Sequence, residues 1–337
     1  MAENTDNEIK DEPAFDPRFQ TENLAYEKEK LIACGNCSRM NPPNRLNCMY
    51  CGGELELEVI DASSIKTNLR KLEAWERGIN IILRETDAIN FDANKCATFL
   101  SMDAADLSII VEAGTPLPIA RVESEKEADI LLAGLEQFGL KCTSIKDDNL
   151  AADKPPVRLS GIEISHERLE LKHFNTAKLT ETAVADLVLI VPGSINESKI
   201  DSVEKRGRRN KTEMVDESAT TADEAILDLY LRHDPIGFRV RLSGFDFSCL
   251  GEGKGLLAGE NMRRLIDVLK ELAPNAQFVN NYAAARQALG LVWEVESRKD
   301  SKGVLRAGFG KAEFGTVAST SNLNQFTKYS RLQWHLL

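Results

Sequence analysis

The stretch CGNCSRMNPPNRLNCMYC, residues 34–51, contains four of the seven cysteines of this 337-residue chain. They follow the spacing Cys34-x2-Cys37-x10-Cys48-x2-Cys51. Two Cys-x2-Cys pairs each wrap two thiolates around one side of a tetrahedral metal ion, and four thiolates leave no coordination position open. The spacing therefore predicts one structural zinc ion that folds a small ribbon. Iron in a rubredoxin-type site and disulfide bonding are the chemical alternatives.

The other three cysteines, Cys96, Cys142 and Cys249, are isolated among apolar or small residues. Four clustered and three scattered cysteines are typical of metal binding in a reducing compartment rather than of a disulfide framework. We predict that the three isolated thiols are small buried hydrophobic side chains. The expected location is the cytoplasm.

The stretch 34–51 resembles the zinc-ribbon superfamily and, more narrowly, the Ran-binding-protein type of zinc finger. Asn41 stands four positions after Cys37 and seven before Cys48, as in that finger type. The tryptophan that the family has two places before its first cysteine is replaced here by Ile32. Family members bind ubiquitin or single-stranded RNA, so the resemblance implies a binding module.

The formal net charge of -11 opposes broad attraction to nucleic acid or anionic lipid, since both of those partners are negatively charged. We find no basic-then-apolar signal sequence, and no run approaches the roughly 18 apolar residues that a membrane-spanning helix needs. Composition and length predict a soluble protein with several modules, and the strand and helix patterns along the chain predict the α+β class.

Periodicity and composition divide the chain into segments. The predicted segments are a disordered acidic arm at 1–30, the zinc ribbon at 31–60, a small α+β module at 64–150, a linker at 151–157, a β-rich module with helices at 158–295, a flexible linker at 296–322, and a C-terminal docking segment at 323–337.

The module at 64–150 is predicted to contain a helix over 65–78, a strand over 79–85, two short helices within 92–113, and a strand, helix and strand over 116–150. The last three elements resemble a small prokaryotic signal-transducing βαβ domain. The residues that carry this likeness are Ile119-Ala120-Arg121-Val122, Glu127-Ala128 and Gly139-Leu140. The likeness implies ligand sensing or protein contact.

Residues 158–273 consist of alternating strand patterns followed by one helix, which resembles a pleckstrin-homology-like barrel in which the helix plugs an open end. A generic α+β sandwich is the alternative. The polar insertion at 196–224 is predicted to be a mobile loop or a β-hairpin extension. The apolar segment 323–337 is expected to dock on this chain or in a homomeric contact.

The insertion contains a basic run, which is a candidate contact for nucleic acid or phosphate. Its cationic residues are Lys205, Arg206, Arg208, Arg209 and Lys211. A solvated loop is the favoured interpretation, because no aromatic residue interleaves the run for base stacking and Glu204 and Glu213 dilute its field.

No enzyme motif is visible. The four histidines are scattered, and none lies in an HExxH, GxSxG or kinase-type motif. The sequence therefore predicts a non-catalytic zinc-binding adaptor or regulatory protein that acts through contacts with a protein partner. RNA binding through the ribbon and residues 205–211 is the first alternative, and an enzyme whose site is assembled by the fold is the second.

Overall fold

The computed structural model describes residues 31–42, 45, 47–55, 71–73, 75–87, 89, 91–206, 212–306 and 312–337. Over these residues the chain is α+β, as the sequence predicted. It divides into two compact units, Met1–Asn68 and Leu69–Leu337. The acidic arm predicted at 1–30 lies outside the described residues. So does much of the predicted helix at 65–78, of which residues 71–73 and 75–78 are not helical.

The first unit is described over a short ribbon. Strand β1, Ile32–Ala33, pairs antiparallel with β2, Met40–Asn41. Its buried apolar cluster consists of Cys34, Cys48 and Leu55. Because so small a core cannot repay the entropy of ordering the chain, a segment of this kind needs another source of stability, such as a metal.

The second unit begins with a three-stranded sheet in which β3 lies between β4 and β5 and runs antiparallel to both. The predicted strand, helix and strand over 116–150 are present, although β3 separates the two strands. Ser124 and Glu127 form a reciprocal capping box that starts the connecting helix. The elements are β3 Ile79–Thr86, α1 Ala93–Leu100, α2 Ala104–Glu112, β4 Leu117–Val122, α3 Glu125–Gln137, β5 Leu140–Lys146 and α4 Asp147–Leu150.

The larger sheet has the order β13-β14-β9-β10-β11-β6-β7-β8, with β12 beside β9. Its pairings are antiparallel except β11 with β6 and β12 with β9, which are parallel. The elements are β6 Val157–Ile164, β7 Arg168–His173, β8 Leu179–Ala183, β9 Leu187–Arg206, β10 Thr212–Leu231, β11 Asp234–Arg241, α5 Ala258–Leu272, β12 Gln277–Phe278, α6 Tyr282–Val292, β13 Glu296–Arg306, β14 Ala312–Ser321 and α7 Leu323–His335.

Two hydrophobic cores cover the two faces of this sheet. Successive residues of β9 alternate between them, since Leu189 and Val191 belong to one core and Ile190 to the other. The first core also contains the three-stranded sheet, α6 and α7, whereas the second contains α5. The sheet therefore has α6 and α7 on one face and α5 on the other, which is an α+β arrangement. The likeness to a pleckstrin-homology barrel stays a prediction.

The segment 151–157, predicted as a linker, connects α4 to β6 within the second compact unit. Residues on both sides of it, such as Leu131 and Leu189, share the first core. Arg331 of α7 fixes the segment, because its buried guanidinium donates to the carbonyls of Leu150 at 3.0 Å and of Ala151 and Lys154. The boundary between compact units therefore falls at Asn68 instead.

The segment 296–322, predicted as a flexible linker, contains strands β13 and β14, which pair antiparallel. Strand β14 pairs with the distal half of β9, so backbone hydrogen bonds order a segment that has little apolar surface. The insertion 196–224 takes the hairpin alternative of the two that the sequence left open.

The segment 323–337 forms α7 on this chain's own core, where the side chains of Phe326, Tyr329 and Leu332 are fully buried. This placement matches the self-docking alternative, in which the apolar residues of the segment cover the β-rich module. Over the described part of the chain, no helix is both long and apolar enough to cross a membrane.

Candidate metal centre

The four cysteines of residues 34–51 converge, with their sulfur atoms all within 4.8 Å of one another. The Sγ atoms of Cys34 and Cys51 are 3.6 Å apart, and those of Cys37 and Cys48 are 3.5 Å apart. Disulfide sulfurs are about 2.05 Å apart. Sulfur ligands of a tetrahedral ion lie about 3.8 Å apart when each metal–sulfur bond is about 2.3 Å. The cysteines are free and positioned to bind a metal ion.

The two halves of the site share one backbone design. In the first, the Ser38 N–H donates to the carbonyl of Cys34 at 2.8 Å, and in the second the Gly52 N–H donates to the carbonyl of Cys48 at 2.9 Å. Ser38 and Gly52 both have positive φ, 58° and 73°. The sequence indicated the left-handed turn at glycine, where it carries no steric penalty, but gave no such signal at Ser38.

Backbone amides favour the thiolate form of Cys34 and Cys48, whereas for Cys37 the Arg39 amide is outweighed by burial and by the hydrogen bond with Cys48, which raise the pKa of that thiol to about 12. The N–H groups of Cys37 and Asn36 donate toward the Cys34 sulfur and lower the pKa of that thiol. Burial opposes ionisation of Cys48, but hydrogen bonds from the amides of Tyr50 and Cys51 and from the side chains of Cys37 and Asn41 together outweigh it and lower its pKa to about 6. Since the thiolate is the form that binds metal, these amides prepare the site for a cation.

Asn41 connects the two halves. Its fully buried side chain donates from Nδ2 to the carbonyl of Arg39 at 2.8 Å and accepts at Oδ1 from the N–H of Met49 at 2.9 Å. The sequence singled out this residue only through the finger resemblance, and its role follows from the structure: it holds the loop after the first cysteine pair against the second pair.

The ribbon around the sulfurs exposes two large apolar side chains that sequence reasoning missed. Met40 is 42% exposed and Tyr50 is 46% exposed, and the guanidinium carbon of Arg39 lies 4.8 Å from the centroid of the Tyr50 ring. The sequence signal that could have indicated this exposure is that Met40 and Tyr50 are large apolar residues close to the cysteines, in a segment too small to bury them.

The structure describes only part of the basic run of the sequence. Lys205 and Arg206 end β9, but their side chains are outside the described part of the structure, as are residues 207–211 with Arg208, Arg209 and Lys211. A contact with nucleic acid or phosphate through these residues stays a prediction.

Four thiolates offer a soft, closed ligand set, which suits a structural ion and leaves no position at which water or substrate binds the metal.

No protein-family model matches this sequence, and no curated protein or solved structure matches it.

Proposed function

We propose that Cys34, Cys37, Cys48 and Cys51 bind one structural zinc ion, and that the chain is a non-catalytic adaptor or regulatory protein that acts through protein contacts. The observation that carries the metal assignment is the convergence of four sulfur atoms in a ribbon whose one large buried aliphatic side chain is Leu55 among its described residues. Thiolate ligands favour zinc over harder cations, and zinc stabilises small ribbons that lack a core.

The surface of the ribbon supports protein contact. Met40 on β2 and Tyr50 on the turn after Cys48 are exposed in a ribbon that the metal would hold rigid, so their burial by a partner would carry little ordering cost. Tyr50 is the one aromatic residue in the sequence 31–55, and Arg39 already lies over its ring. Single-stranded RNA binders stack several bases on several aromatic rings, which makes RNA the less favoured ligand.

The polar groups of the second unit support a non-catalytic role, because several buried or half-buried ones are committed to structural bonds. The buried guanidinium of Arg239 donates to both carboxylate oxygens of Asp228, at 2.6 and 2.7 Å. The Nε2 atom of His173 lies 2.8 Å from the Thr180 hydroxyl oxygen, and that of His335 lies 2.9 Å from the Asn149 carbonyl oxygen. A general base needs a reactive partner rather than a satisfied structural one.

Elemental analysis of the purified chain tests the metal. We expect about one equivalent of zinc per chain, lost in a Cys37→Ala and Cys48→Ala double variant. Iron in its place would assign a rubredoxin-type site, and a folded wild-type chain with reduced thiols and no metal would contradict the proposal.

Affinity capture from the native cell, with and without nuclease, tests the mode of contact. We expect a protein partner that survives nuclease and is lost when Met40 and Tyr50 are changed to Ser, with zinc content unchanged. Trp75→Ser is the matched control, since Trp75 is an exposed aromatic of the other unit at 78% exposure. Loss of the partner with nuclease would favour RNA binding, and retention of it by the Met40 and Tyr50 variant would remove the ribbon surface from the proposal.

A further inference from the structure

The distal halves of β9 and β10, together with β13 and β14, form a four-stranded antiparallel extension of the larger sheet, and this extension has two open edges. One edge is β13, and the other is residues 212–224 of β10, which extend past the pairing with β11. Neither edge has a strand partner within the described residues. Residues 296–303 and 216–223 are exposed throughout. Open edges of this length are surfaces on which another strand can pair.

The two edges differ in charge. Residues 212–224 of β10 contain five acidic residues, Glu213, Asp216, Glu217, Asp223 and Glu224, and no lysine or arginine. Charges of one sign along an edge repel a second copy of the same edge, which is how natural sheets avoid unwanted pairing. This edge is therefore protected against self-association.

The β13 edge has the opposite property, because its charges are self-complementary. Residues 296–302 read Glu-Ser-Arg-Lys-Asp-Ser-Lys. When this sequence is laid antiparallel on itself about Lys299, Arg298 faces Asp300, Ser297 faces Ser301 and Glu296 faces Lys302. Each of these pairs occurs twice across the twofold axis, so four opposite-charge pairs form.

We propose that β13 pairs antiparallel with β13 of a second copy of this chain, about a twofold axis at Lys299. Directly opposed side chains in such a pair have Cβ atoms about 4.5–5.5 Å apart, within reach of a salt bridge. The pairing makes the larger sheets of the two copies continuous through their four-stranded extensions. Because an isologous contact uses the same patch on both copies, it closes as a dimer and does not propagate.

The pairs differ in what they contribute. Arg298 and Asp300 lie on one face of β13, where the Arg298 Nε is 3.0 Å from an oxygen of Asp300 within the chain, so both are oriented along the same face.

The pair of Lys302 with Glu296 contributes less. The Lys302 ammonium is already 2.6 Å from the carboxylate of Asp201 on β9, and a bulge follows Ser301. The two Lys299 ammonium groups face each other at the axis and oppose the contact. Arg298 with Asp300 is therefore the pair to test.

The experiment is sedimentation equilibrium of the full chain, purified with zinc, at about 1 to about 100 μM. We expect a monomer–dimer equilibrium for the wild type. Arg298→Asp and Asp300→Arg each place like charges opposite one another twice, and each raises the dissociation constant about tenfold or more. The double variant restores opposite charges and restores the dimer. Mixing the two single variants forms a heterodimer for the same reason.

Two exposed positions away from β13 provide matched controls. Glu217→Lys makes the net charge more positive, as Asp300→Arg does. Lys178→Asp makes it more negative, as Arg298→Asp does. We expect both controls to leave dimerisation unchanged. Circular dichroism of each variant checks that it is folded.

A cysteine at the axis gives a second measurement. Lys299→Cys forms an interchain disulfide under mild oxidant, whereas Lys178→Cys does not. A wild type that is monomeric over the whole concentration range overturns the proposal. So does a dimer that is indifferent to both single charge reversals, and so does a folded double variant that stays as weak as the single variants.

Discussion

The side-chain oxygen of Asn41 accepts a hydrogen bond from the backbone N–H of Met49 at 2.9 Å, and this bond joins the two cysteine pairs of the ribbon. Asn41 is fully buried, so its removal takes away the acceptor of the Met49 N–H, whereas the Arg39 carbonyl still accepts from the Cys34 N–H at 3.0 Å. Mutation of a group that positions metal ligands without touching the metal typically lowers the affinity for the metal.

We expect Asn41→Ala to weaken zinc binding by about 10- to 100-fold, because the second cysteine pair loses its link to the first. Competition with a chromophoric chelator measures the affinity. Asn36→Ala is the control. The Asn36 side chain is exposed and makes a long hydrogen bond of 3.8 Å to the Cys51 sulfur, so we expect a smaller loss of zinc affinity. Equal affinity of Asn41→Ala and wild type would show that the hydrogen bond does not organise the site.

Metal removal is expected to unfold the ribbon and leave the rest of the chain folded. Residues 69–337 form their own compact unit with two hydrophobic cores, whereas the ribbon's described core consists of Cys34, Cys48 and Leu55. Hydrogen exchange with and without a chelator measures this. Amides of residues 31–55 lose protection, and those of β9 and β10 near Leu189 and Tyr230 keep it. Equal loss in both units would contradict the prediction.

The carboxylate of Asp147 makes the stability of the second unit pH-dependent. Burial raises the pKa of Asp147, but hydrogen bonds from Asn80 and Arg121 outweigh it, and the pKa in the folded state is lowered. An Asp in the unfolded chain has a pKa of about 3.9. The stabilisation is therefore complete above that value and is lost as the pH falls through the lower, folded pKa.

Chemical denaturation between neutral and acid pH measures this contribution. Asp147→Asn removes part of the acid dependence and, at neutral pH, lowers the free energy of unfolding by about 3–5 kcal/mol, because it leaves the Arg121 guanidinium, 2.5 Å from Asp147, without its carboxylate. Asp129→Asn, at an exposed position of α3, leaves both unchanged. A wild type and an Asp147→Asn variant with parallel pH profiles would refute the assignment.

The docking of α7 on β9 requires the absence of a side chain at Gly193. A Cβ at this position would lie 2.2 Å from Cε2 of Phe326, which is fully buried. We expect Gly193→Ala to lower the free energy of unfolding by about 1–3 kcal/mol through overpacking.

Gly290 in α6 is the matched control, since a Cβ there meets nothing within 4 Å. Gly290→Ala is expected to raise the free energy of unfolding by about 0.5–1 kcal/mol, because alanine loses less conformational freedom than glycine in a helix. Thermal unfolding of both variants measures the difference, and a neutral Gly193→Ala would show that Phe326 can move aside.

The features that could be predicted from the sequence are those that neighbouring residues decide. The spacing of the four cysteines brings their sulfurs together because each Cys-x2-Cys pair is one turn of chain. Ser124 and Glu127 start α3 through bonds that span three residues, and Gly114 and Gly139 with positive φ follow α2 and α3. The fold class, the metal-binding cysteines and the elements over 79–150 follow from such local chemistry.

Contacts between distant residues decided the rest. Residues 296–322 are rich in Gly, Ser and Lys, so their sequence is typical of a linker. Within them, 312–321 form β14 because the distant β9 supplies backbone hydrogen bonds, and 296–306 form β13 by pairing with β14. Arg331 is fully buried although arginine is usually exposed, since four distant carbonyls accept from it. The sequence by itself determined the chemistry of the ribbon, and only the tertiary structure decided which polar segments are strands, because backbone pairing carries no side-chain signature.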